Sequence, residues 1–467
     1  MGRGRRHDRR GWQDRRVALP DGTAFDPTAP GVDLGGIDLA GIADRVDAAA
    51  TRIAGVVNRT PLEPSPRLSA VTGHTVLLKR EDQQSVRSYK IRGAYNLMAQ
   101  LSEAERAAGV VCASAGNHAQ GVALACRLLG IHGRIHLPAT TPRQKRERIR
   151  AHGGDLVELV IAGDTFDDAA AAAAADAQRS GAIAVPPFDD QRTMAGQGTV
   201  AAEIADQLRE RGLRQDALIV PVGGGGLIGG TVAWLSRHAP EVRVIGAEPA
   251  GGASMAAALA AGRPVRLDRL DPFTDGAAVR TIGNLPYAVL STAIAHASAA
   301  GGPGAELLAI DEGAICTAML DLYQQEGIIA EPAGALSVAA LLDPSMPELP
   351  AGSVVVCLVS GGNNDVSRYG EILERSLVHL GVKHYFLVEF PQEPGALRRF
   401  LIDVLGPDDD ITLFEYVKRN NRETGPALVG LELESAEGLQ PLLQRLAESP
   451  MTVEQIAPGS TTFRYLT

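Results

Sequence analysis

The sequence is poor in aromatic residues and contains no long apolar run. Phe, Trp and Tyr make up 4% of the 467 residues, although hydrophobic residues make up 45%. The apolar part of the chain is therefore mainly aliphatic, a composition that suits helices packed on sheets. The length is enough for about three domains of ordinary size. No apolar run reaches the roughly 20 residues that a membrane-spanning helix needs, so we expect no membrane partner.

The sequence also has few cysteines and fewer basic than acidic residues. The four cysteines form no Cys-x-x-Cys pair, so we expect buried, reduced thiols rather than a zinc or redox site. The chain has 45 Lys and Arg against 55 Asp and Glu, which gives a net charge of −10. An acidic protein has no general electrostatic attraction to nucleic acid, so we expect no nucleic-acid partner. The cysteines are Cys112, Cys126, Cys316 and Cys357.

The first residues are rich in arginine and nearly free of large apolar side chains. No hydrophobic segment follows Met1–Arg16, so this stretch does not have the form of a secretory signal. Asp8 and Asp14 argue against a transit peptide. We therefore expect residues 1–36 to be a disordered N-terminal extension rather than a nucleic-acid-binding arm, and we expect a cytoplasmic protein.

From residue 37 to about 376 the chain alternates short apolar runs with helical patterns. Such alternation predicts parallel sheets that are covered by helices on both faces, so the fold class is α/β. Ser88 is the expected N-cap of a helix that contains Lys90. The predicted strands are Val76–Lys79, Val110–Ala113, Ile135–Pro138, Asp155–Val160, Ala217–Val222, Val242–Gly246 and Val354–Val359.

Residues 383–467 follow a different pattern. The predicted order is β-α-β-β-α-β, which is that of a ferredoxin-like unit, so we expect a separate domain. Leu397, Phe400, Leu401 and Val404 have the spacing of one buried helical face. A second helical face is predicted from Leu439 to Leu446. The predicted strands are Tyr385–Phe390, Ile411–Lys418, Val429–Leu433 and Thr462–Leu466.

A glycine-rich loop follows one buried strand and begins a helix. Gly224–Gly229 matches the pattern Gly-x-Gly-x-x-Gly, and Glu248 ends the next strand, as in a dinucleotide-binding fingerprint. No Gly-Lys-Ser/Thr follows, so a Walker phosphate loop is excluded. Consecutive glycines let backbone N–H groups approach an anion at a helix N-terminus, so we expect phosphate binding. The loop alone leaves a dinucleotide and pyridoxal phosphate (PLP) both open.

Two further turns and one lysine are candidate site residues. Ser114–Asn117 lies between a strand and a helix, where backbone N–H groups and a hydroxyl can receive a carboxylate, and Asn117 can hydrogen-bond a ring hydroxyl. Taken alone, this stretch is equally consistent with an ordinary N-cap turn. Ser360 also ends a buried strand and, taken alone, is another cap. Lys90 by itself would be a solvated lysine.

Together these segments resemble the motif set of the fold-type II PLP enzymes, and in particular that of the biosynthetic threonine dehydratases. The resemblance covers roughly Val56–Leu373. The tail segments YFLVEFPQEPGALRRFL and ITLFEYVKRNNRETG are similar to the ACT-like regulatory domain of the short, single-module form of this family. The motifs that carry the resemblance are SYKIRGAYN, SAGNHAQGVA, GGGGL, DGAAVR, EPAGA and SGGNND.

The resemblance implies a role for each candidate residue. Lys90 would be the Schiff-base lysine and the general base, Asn117 would bond the 3-hydroxyl of PLP, and Ser360 would bond its pyridine nitrogen. The phosphate would be held by Gly223, Gly224, Gly225, Gly226 and Leu227. The substrate carboxylate would be held by Ser114, Ala115, Gly116 and Asn117. Because the similar serine racemases carry a catalytic serine where this chain has Ala115, racemisation should be poor. No metal ligand is implied.

The resemblance also implies a fold, an activity and partners. The fold would be a catalytic core of two parallel-sheet subdomains, the smaller at roughly 90–190, followed by the ACT-like domain. The activity would be PLP-dependent deamination of L-threonine to 2-oxobutanoate and ammonia, the first committed step of isoleucine biosynthesis. Isoleucine would inhibit a homotetramer through the tail, with an effect of valine left open. The alternatives are another β-eliminating PLP enzyme such as serine dehydratase or threonine synthase, a nicotinamide dehydrogenase, and a non-catalytic amino-acid sensor.

Overall fold

The computed structural model describes residues 36–417, 422–463 and 466, so nearly all of the predicted N-terminal extension lies outside it. By its internal contacts the chain divides into two compact units. The first consists of Met1–Asp311 and Leu322–Asn364, and the second of Glu312–Asp321 and Asp365–Thr467. Every residue that the sequence assigns to the cofactor or the substrate therefore belongs to the first unit.

Ten strands of the described chain form two sheets in the first unit. They are β1 Leu62–Pro64, β2 Thr75–Arg80, β3 Val110–Ala113, β4 Gly133–Leu137, β5 Val157–Ile161, β6 Ile183–Ala184, β7 Ala217–Pro221, β8 Arg243–Pro249, β9 Ala305–Ile310 and β10 Val354–Val359. The larger sheet has the order β1-β2-β10-β7-β8-β9, and only its β1–β2 pair is antiparallel. The smaller sheet, β5-β4-β3-β6, is parallel throughout. The α/β prediction is confirmed.

Helices account for most of the remaining structure. In the described part of the chain, none of them is both long enough and apolar enough to cross a bilayer. The α-helices are α1 Leu39–Ile53, α2 Pro66–Thr72, α3 Lys90–Met98, α4 Glu103–Ala108, α5 Asn117–Leu129, α6 Arg143–Gly153, α7 Phe166–Ser180, α8 Gln191–Glu210, α9 Gly226–His238, α10 Ser254–Ala261, α11 Asn284–Ala300, α12 Glu312–Glu326, α13 Pro332–Leu342, α14 Tyr369–His379, α15 Ala396–Arg399 and α16 Leu439–Glu448.

Two hydrophobic cores hold the sheets of the first unit. The larger core packs α1, α8, α9 and α11 on the larger sheet, with Val46, Ile204 and Leu358 among its buried members. The smaller core packs α3, α5 and α6 on β3 and β4. Strand β10 shows why helices are needed on both faces, because the side chains of five of its six residues are buried. A run of this kind has no face that could be left in water.

The second unit has the predicted ferredoxin-like element order. Its strands are β11 Lys383–Pro391, β12 Asp410–Tyr416, β13 Thr424–Glu432 and β14 Thr452–Gln455. They form an antiparallel sheet with the order β12-β13-β11-β14. Its core includes Phe386, Phe400 and Leu442. Residues 418–421, which include the end of the predicted strand Ile411–Lys418, lie outside the described residues.

One prediction for this unit is wrong, and another falls partly outside the described residues. The last strand of the described sheet is Thr452–Gln455, because the short connection after α16 brings that stretch directly against β11. Residues 464 and 465 of the predicted strand Thr462–Leu466 lie outside the described residues. The helical face is also different, since Leu397 and Leu401 are 44% and 45% exposed. A π-helical turn at Phe400–Val404 follows α15 and shifts the buried face to Ala396, Phe400 and Val404, which are four residues apart.

Candidate active site

Three neighbouring parallel strands of the larger sheet end side by side. β2 pairs with β10, and β10 pairs with β7, both in parallel. Because parallel strands end at the same edge of a sheet, the segments that follow them meet there. These segments carry Lys90, Ser360 and Gly223 respectively. Residues that are up to 270 positions apart in the sequence are thus placed at one edge.

The backbone before Lys90 is held against the turn that follows β10. Tyr89 donates its N–H to the carbonyl oxygen of Ser360 at 3.1 Å, and Gly362 donates to the carbonyl oxygen of Arg87 at 2.9 Å. Arg87 is the only non-glycine residue among the described ones with a positive φ, at 56°. A left-handed conformation in a residue with a Cβ persists only where its surroundings enforce it. The position of Lys90 is therefore fixed from the Ser360 turn.

The start of helix α3 differs from the prediction. The helix begins at Lys90 with Tyr89 as its N-cap, and no side chain caps it. Ser88 is not the cap, because its backbone pairs with Gly361 instead. The Ser88 hydroxyl is buried and has no hydrogen-bond partner among the described residues. An unpartnered buried hydroxyl two residues from Lys90 is a group that a polar ligand can satisfy.

The Lys90 side chain is half-buried and makes few polar contacts. Its Nζ donates to the carbonyl oxygen of Pro187 at 3.4 Å, which is long for a hydrogen bond, and lies 5.1 Å from the centre of the Tyr89 ring. The next residue, Phe188, lies against the glycine loop, where a Cβ on Gly224 would overlap its ring. The segment at Pro187 therefore links the lysine amine to the predicted phosphate loop.

A buried ion-pair network holds the first turn of α3. Arg92 donates from Nε and Nη2 to the two carboxylate oxygens of Glu81 at 2.8 and 2.7 Å, and both side chains are almost fully buried. Glu203 bridges Arg92 at 3.0 Å and Lys79 at 2.5 Å. Burial alone would raise the pKa of Glu81, but the charge and hydrogen bonds of Arg92 outweigh it and lower that pKa to about 2. The network fixes α3 two residues beyond Lys90.

The glycine loop has no room for side chains. Gly225 has a φ of 88°, and a Cβ on Gly223 or Gly226 would lie 2.9 Å from backbone atoms of Ala277 and Phe188 respectively. Helix α9 starts at Gly226, so the loop N–H groups lie at the N-terminus of a 13-residue helix. Leu227 is buried in the larger core. Backbone N–H groups at a helix N-terminus can hold an anion, and the phosphate site that the sequence predicts here stays a prediction.

The Ser114–Asn117 turn joins β3 to α5. The Ser114 hydroxyl accepts from the N–H of Gly116 at 3.2 Å, and α5 begins at Asn117. The helix packs closely on α3, since a Cβ on Gly121 would lie 3.1 Å from the carbonyl carbon of Lys90. Ala115, in the middle of the turn, is partly buried. The turn therefore belongs to the same site as Lys90.

Ser360 is buried, and its hydroxyl donates to the carbonyl oxygen of Ala333 at 3.1 Å. A serine hydroxyl can rotate and exchange this bond for another acceptor. The His118 side chain makes a hydrogen bond between its Nε2 and the carbonyl oxygen of Val185 at 2.7 Å. Burial and the nearby charge of Lys90 lower the pKa of His118 to about 3, so it stays neutral.

Sequence reasoning did not single out Glu331 and Asn363, which the structure adds to the site. Glu331 accepts from Asn117 Nδ2 at 2.6 Å, and Asn363 donates from Nδ2 to Asn117 Oδ1 at 2.7 Å. Burial, and then the charge of Asp275, raise the pKa of Glu331 to about 7. Both residues lie inside quoted motifs, EPAGA and SGGNND, but no local spacing relates them to Asn117.

The geometry of Glu248 does not suit a dinucleotide. Its two carboxylate oxygens accept from the N–H groups of Met255 and Ala256 at 2.7 and 2.9 Å, and the side chain is buried. Burial raises its pKa to about 7. A carboxylate held in this way is not available to a ribose hydroxyl, which a dinucleotide fingerprint requires. Among the described residues no three His, Cys, Asp or Glu side chains form a cluster suited to a metal ion.

Two family models match this chain. Residues 53–361 match the family described as pyridoxal-phosphate dependent enzyme, and residues 374–466 match the C-terminal regulatory domain of threonine dehydratase. The biosynthetic L-threonine dehydratase of Mycobacterium tuberculosis is 64% identical over 421 residues, which cover 90% of this chain and 95% of the relative. The enzyme of the same name from Corynebacterium glutamicum is 56% identical over 445 residues, 95% of this chain and 99% of the relative.

Solved structures of related enzymes are similar to this chain. Threonine deaminase isoform 2 from Solanum lycopersicum has a TM-score of 0.65 at 37% identity, covering 74% of this chain and 96% of that one. Maize serine racemase has a TM-score of 0.64 at 31% identity, covering 72% and 98%. The chain therefore belongs to the pyridoxal-phosphate-dependent enzymes and, within them, to the biosynthetic threonine dehydratases that carry a C-terminal regulatory domain.

Proposed function

We propose that this chain deaminates L-threonine to 2-oxobutanoate and ammonia with PLP as cofactor, and that isoleucine regulates it through the second unit. The observation that carries the proposal is the position of the Lys90 amine. The backbone just before Lys90 is hydrogen-bonded to the Ser360 turn, and a glycine loop that begins a helix lies close by. A primary amine beside an anion site and a ring-facing hydroxyl is what a PLP enzyme needs.

The residues present fit this cofactor. The N–H groups from Gly223 to Leu227 would hold its phosphate, because side chains are excluded there and a helix N-terminus favours an anion. Asn117 would bond its 3-hydroxyl. Ser360 would bond its pyridine nitrogen, to which a serine cannot give a full proton as an aspartic acid could. When bound, PLP supplies an electron sink that makes the Cα proton of an amino acid acidic.

Among the residues of this chain, Lys90 has the two main chemical roles, as covalent anchor and as general base. Its amine would hold the cofactor covalently at rest and, when free, would take the proton from the substrate Cα as general base. The N–H groups of the Ser114–Asn117 turn and the Ser114 hydroxyl would hold the substrate carboxylate. Fixing the carboxylate and the base on neighbouring elements, α5 and α3, sets the Cα proton toward Lys90.

Ala115 limits the reaction to one face of the substrate. Its side chain is a methyl group and can neither give nor accept a proton. A racemase needs a second acid/base group opposite the lysine, and we propose that this site lacks one at Ala115. Elimination should therefore prevail over racemisation.

An absorbance spectrum combined with a ketoacid assay tests the function. The purified protein should show a visible PLP band that changes when L-threonine is added, and 2-oxobutanoate should accumulate. A bound nicotinamide spectrum without such a band would support the dehydrogenase alternative, and a band without ketoacid would support the sensor. Faster turnover of L-serine than of L-threonine at equal concentrations would favour a serine dehydratase.

The second unit contains a cavity of about 830 Å³ that suits an amino-acid effector. Its apolar lining includes Phe390, Leu397, Leu401, Phe414 and Tyr416. The Phe390 ring meets the Phe414 and Tyr416 rings edge to face at 5.9 and 5.8 Å. The exposed side chains of Leu397 and Leu401 thus face a cavity, and a branched aliphatic side chain such as that of isoleucine would bury them.

The same cavity has charged groups of both signs. Glu393 and Arg398 belong to its lining, and Glu393 is held by an ion pair with Arg399. A free amino acid carries an ammonium and a carboxylate, which these side chains complement. We propose that isoleucine binds here, and that valine competes for the same cavity. Because the cavity lies outside the first unit, isoleucine would act by favouring one conformation rather than by competing with threonine.

The assembly and location are proposed from the family alone. We propose a homotetramer, which light scattering on the purified protein would test through its molar mass. We propose a cytoplasmic protein with no nucleic-acid or membrane partner, in keeping with the net charge of −10. Cell fractionation would test the location.

A further inference from the structure

The Asn117 amide is held at both ends by side chains that come from distant parts of the chain. Its Oδ1 accepts from Asn363 Nδ2 at 2.7 Å, and its Nδ2 donates to Glu331 Oε1 at 2.6 Å. Asn363 is itself fixed, because its Nδ2 also donates to the carbonyl oxygen of Val86 at 2.8 Å. A primary amide has two N–H donors and one oxygen, so this arrangement leaves one N–H of Asn117 uncommitted.

Glu331 determines which group Asn117 can present. If the amide were rotated by half a turn, its oxygen would face the Glu331 carboxyl and its N–H₂ would face the donor of Asn363. The contact with Asn363 would then place two donors together, and the contact with the ionised Glu331 would place two acceptors together. The carboxyl therefore keeps a donor, rather than an acceptor, available on Asn117. A donor is what an oxygen on the cofactor ring requires.

Beyond Asn117, the Glu331 side chain accepts from the backbone N–H of Asn363, so its contacts lie within the candidate site. The residue is the N-cap of α13, but its side chain makes no capping hydrogen bond, and its backbone N–H already donates to the carbonyl oxygen of Gly361 at 3.1 Å. The side chain is 4% exposed, and its carboxyl carbon would lie 2.9 Å from a Cβ on Gly361. A buried carboxyl that has no capping role and lies against Gly361, the residue after Ser360, is costly to desolvate unless it serves the site.

The charges around Glu331 oppose one another. Asp275 raises its pKa, as burial does, whereas the Asn117 side chain, Lys145 and the N–H of Asn363 lower it, and the balance is about 7. Lys145 and Asp275 form an ion pair at 2.6 Å, so the two charges near the carboxyl largely cancel. Glu331 thus gains or loses its proton close to neutral pH. Either form can accept from Asn117, but only the protonated form can also donate.

We propose that Glu331 is a positioning residue that orients Asn117 toward the 3-oxygen of PLP. Through its 2.6 Å hydrogen bond with Asn117, the proton on the Glu331 carboxyl makes the cofactor spectrum depend on pH. This inference rests on the proposed function, because it needs PLP at the site. It assigns no contact between Glu331 and the substrate.

Three variants separate the two parts of the proposal. Glu331→Ala removes the acceptor and the proton, whereas Glu331→Gln keeps an acceptor oxygen and removes only the proton. Glu326→Gln is the matched control, because Glu326 is a partly buried carboxylate that binds Ser65 and Arg67 instead. The measurements are the PLP dissociation constant of each apoenzyme by absorbance, the visible spectrum of each substrate-free holoenzyme from pH 6 to 8.5, and circular dichroism melting.

We expect Glu331→Ala to weaken PLP binding by about tenfold, the loss of one well-placed hydrogen bond. Glu331→Gln should bind PLP within about threefold of the wild type but lose the spectral change near pH 7. Glu326→Gln should match the wild type in both. Wild-type PLP affinity in Glu331→Ala would overturn the positioning role, and an unchanged pH titration in Glu331→Gln would overturn the proton role. If Glu331→Ala does not fold, the glutamine variant still decides the second part, and Glu331→Leu replaces it in the first. Failure of the wild type to bind PLP would instead contradict the proposed function.

Discussion

Tyr89 and Ser360 are joined by a backbone hydrogen bond of 3.1 Å, from the N–H of the first to the carbonyl oxygen of the second. Lys90, the residue proposed to bind the cofactor covalently, follows Tyr89 directly. This one hydrogen bond therefore connects it to Ser360, the residue proposed to bond the pyridine nitrogen. A change in either segment therefore affects both contacts.

Replacement of Lys90 should abolish turnover while the fold is retained. In Lys90→Ala we expect 2-oxobutanoate production to fall by at least about 10³-fold, since both the covalent anchor and the general base are lost. Borohydride treatment followed by mass spectrometry should no longer attach the cofactor to the chain. Lys90→Arg keeps the charge without a primary amine and should fail equally. Near-normal activity in either variant would refute the assignment.

A methyl group on the glycine loop should weaken the cofactor site. In Gly224→Ala the new Cβ would overlap the Phe188 ring, and we expect a loss of roughly 1–3 kcal/mol in the free energy of unfolding together with weaker PLP binding. Gly370→Ala is the control, because Gly370 is in helix α14 with open space around it. That change should be neutral or slightly stabilising. Urea unfolding and PLP titration measure the two effects, and equal behaviour of both variants would contradict the packing argument.

Breaking the buried ion pair of α3 should be costly. Glu81→Gln leaves the Arg92 guanidinium buried beside a neutral amide. Because Glu203 still pairs with Arg92, we expect a loss of about 3 kcal/mol in the free energy of unfolding at pH 7, the lower end for a broken buried ion pair. Because the pKa of Glu81 is depressed to about 2 in the folded state, its contribution is complete above its ordinary value near 4.5 and disappears as the pH falls toward 2. Urea unfolding at pH 7 and pH 3 should show the difference between variant and wild type shrinking at the lower pH.

Glu248 should make the free energy of unfolding depend on pH in the opposite direction to Glu81. Its pKa is raised from 4.5 to about 7, so the folded state binds a proton that the unfolded state has released between those values. Stability should therefore fall by roughly 3 kcal/mol as the pH rises from about 4.5 to 7 on account of this group. Glu248→Gln should flatten the curve in that window. A pH profile of unfolding identical to that of the wild type would show that the carboxylate is not desolvated.

A charge in the cavity of the second unit should remove isoleucine control. In Leu401→Arg we expect the isoleucine concentration for half-inhibition to rise at least about tenfold, because a charged side chain in the apolar lining should weaken binding of the ligand by about 1.4 kcal/mol or more. Turnover of threonine without isoleucine should remain unchanged. Leu380→Arg is the control, since Leu380 is 49% exposed and does not line the cavity. If Leu401→Arg is inhibited as strongly as the wild type, the effector binds elsewhere.

The sequence was sufficient wherever a feature depends on neighbours along the chain. The runs Val110–Ala113 and Val354–Val359 are strands with the predicted bounds, because uninterrupted apolar residues need burial on both faces. The position of the glycine loop, between a buried strand and the start of a helix, could likewise be predicted from neighbouring residues. The features that could not be predicted from the sequence depend on backbone detail or on residues far away along the chain. The buried face of the first helix of the second unit changed because of one π-helical turn, and the role of Glu331 depends on Asn117, which is 214 residues away.

The pairing of β2 with β10 has a consequence for biosynthesis of the protein. Thr75–Arg80 can pair with β1 early, but its parallel partner is Val354–Val359, so the backbone connection at Ser360 cannot form until that stretch has left the ribosome. The segment that carries Lys90 is synthesised much earlier, so at first it lacks the hydrogen bond from Tyr89 to Ser360 that fixes it in the folded protein. We therefore expect the nascent chain to acquire its cofactor late, after most of the first unit has been translated, and an arrested chain ending before β10 to remain in the apo form.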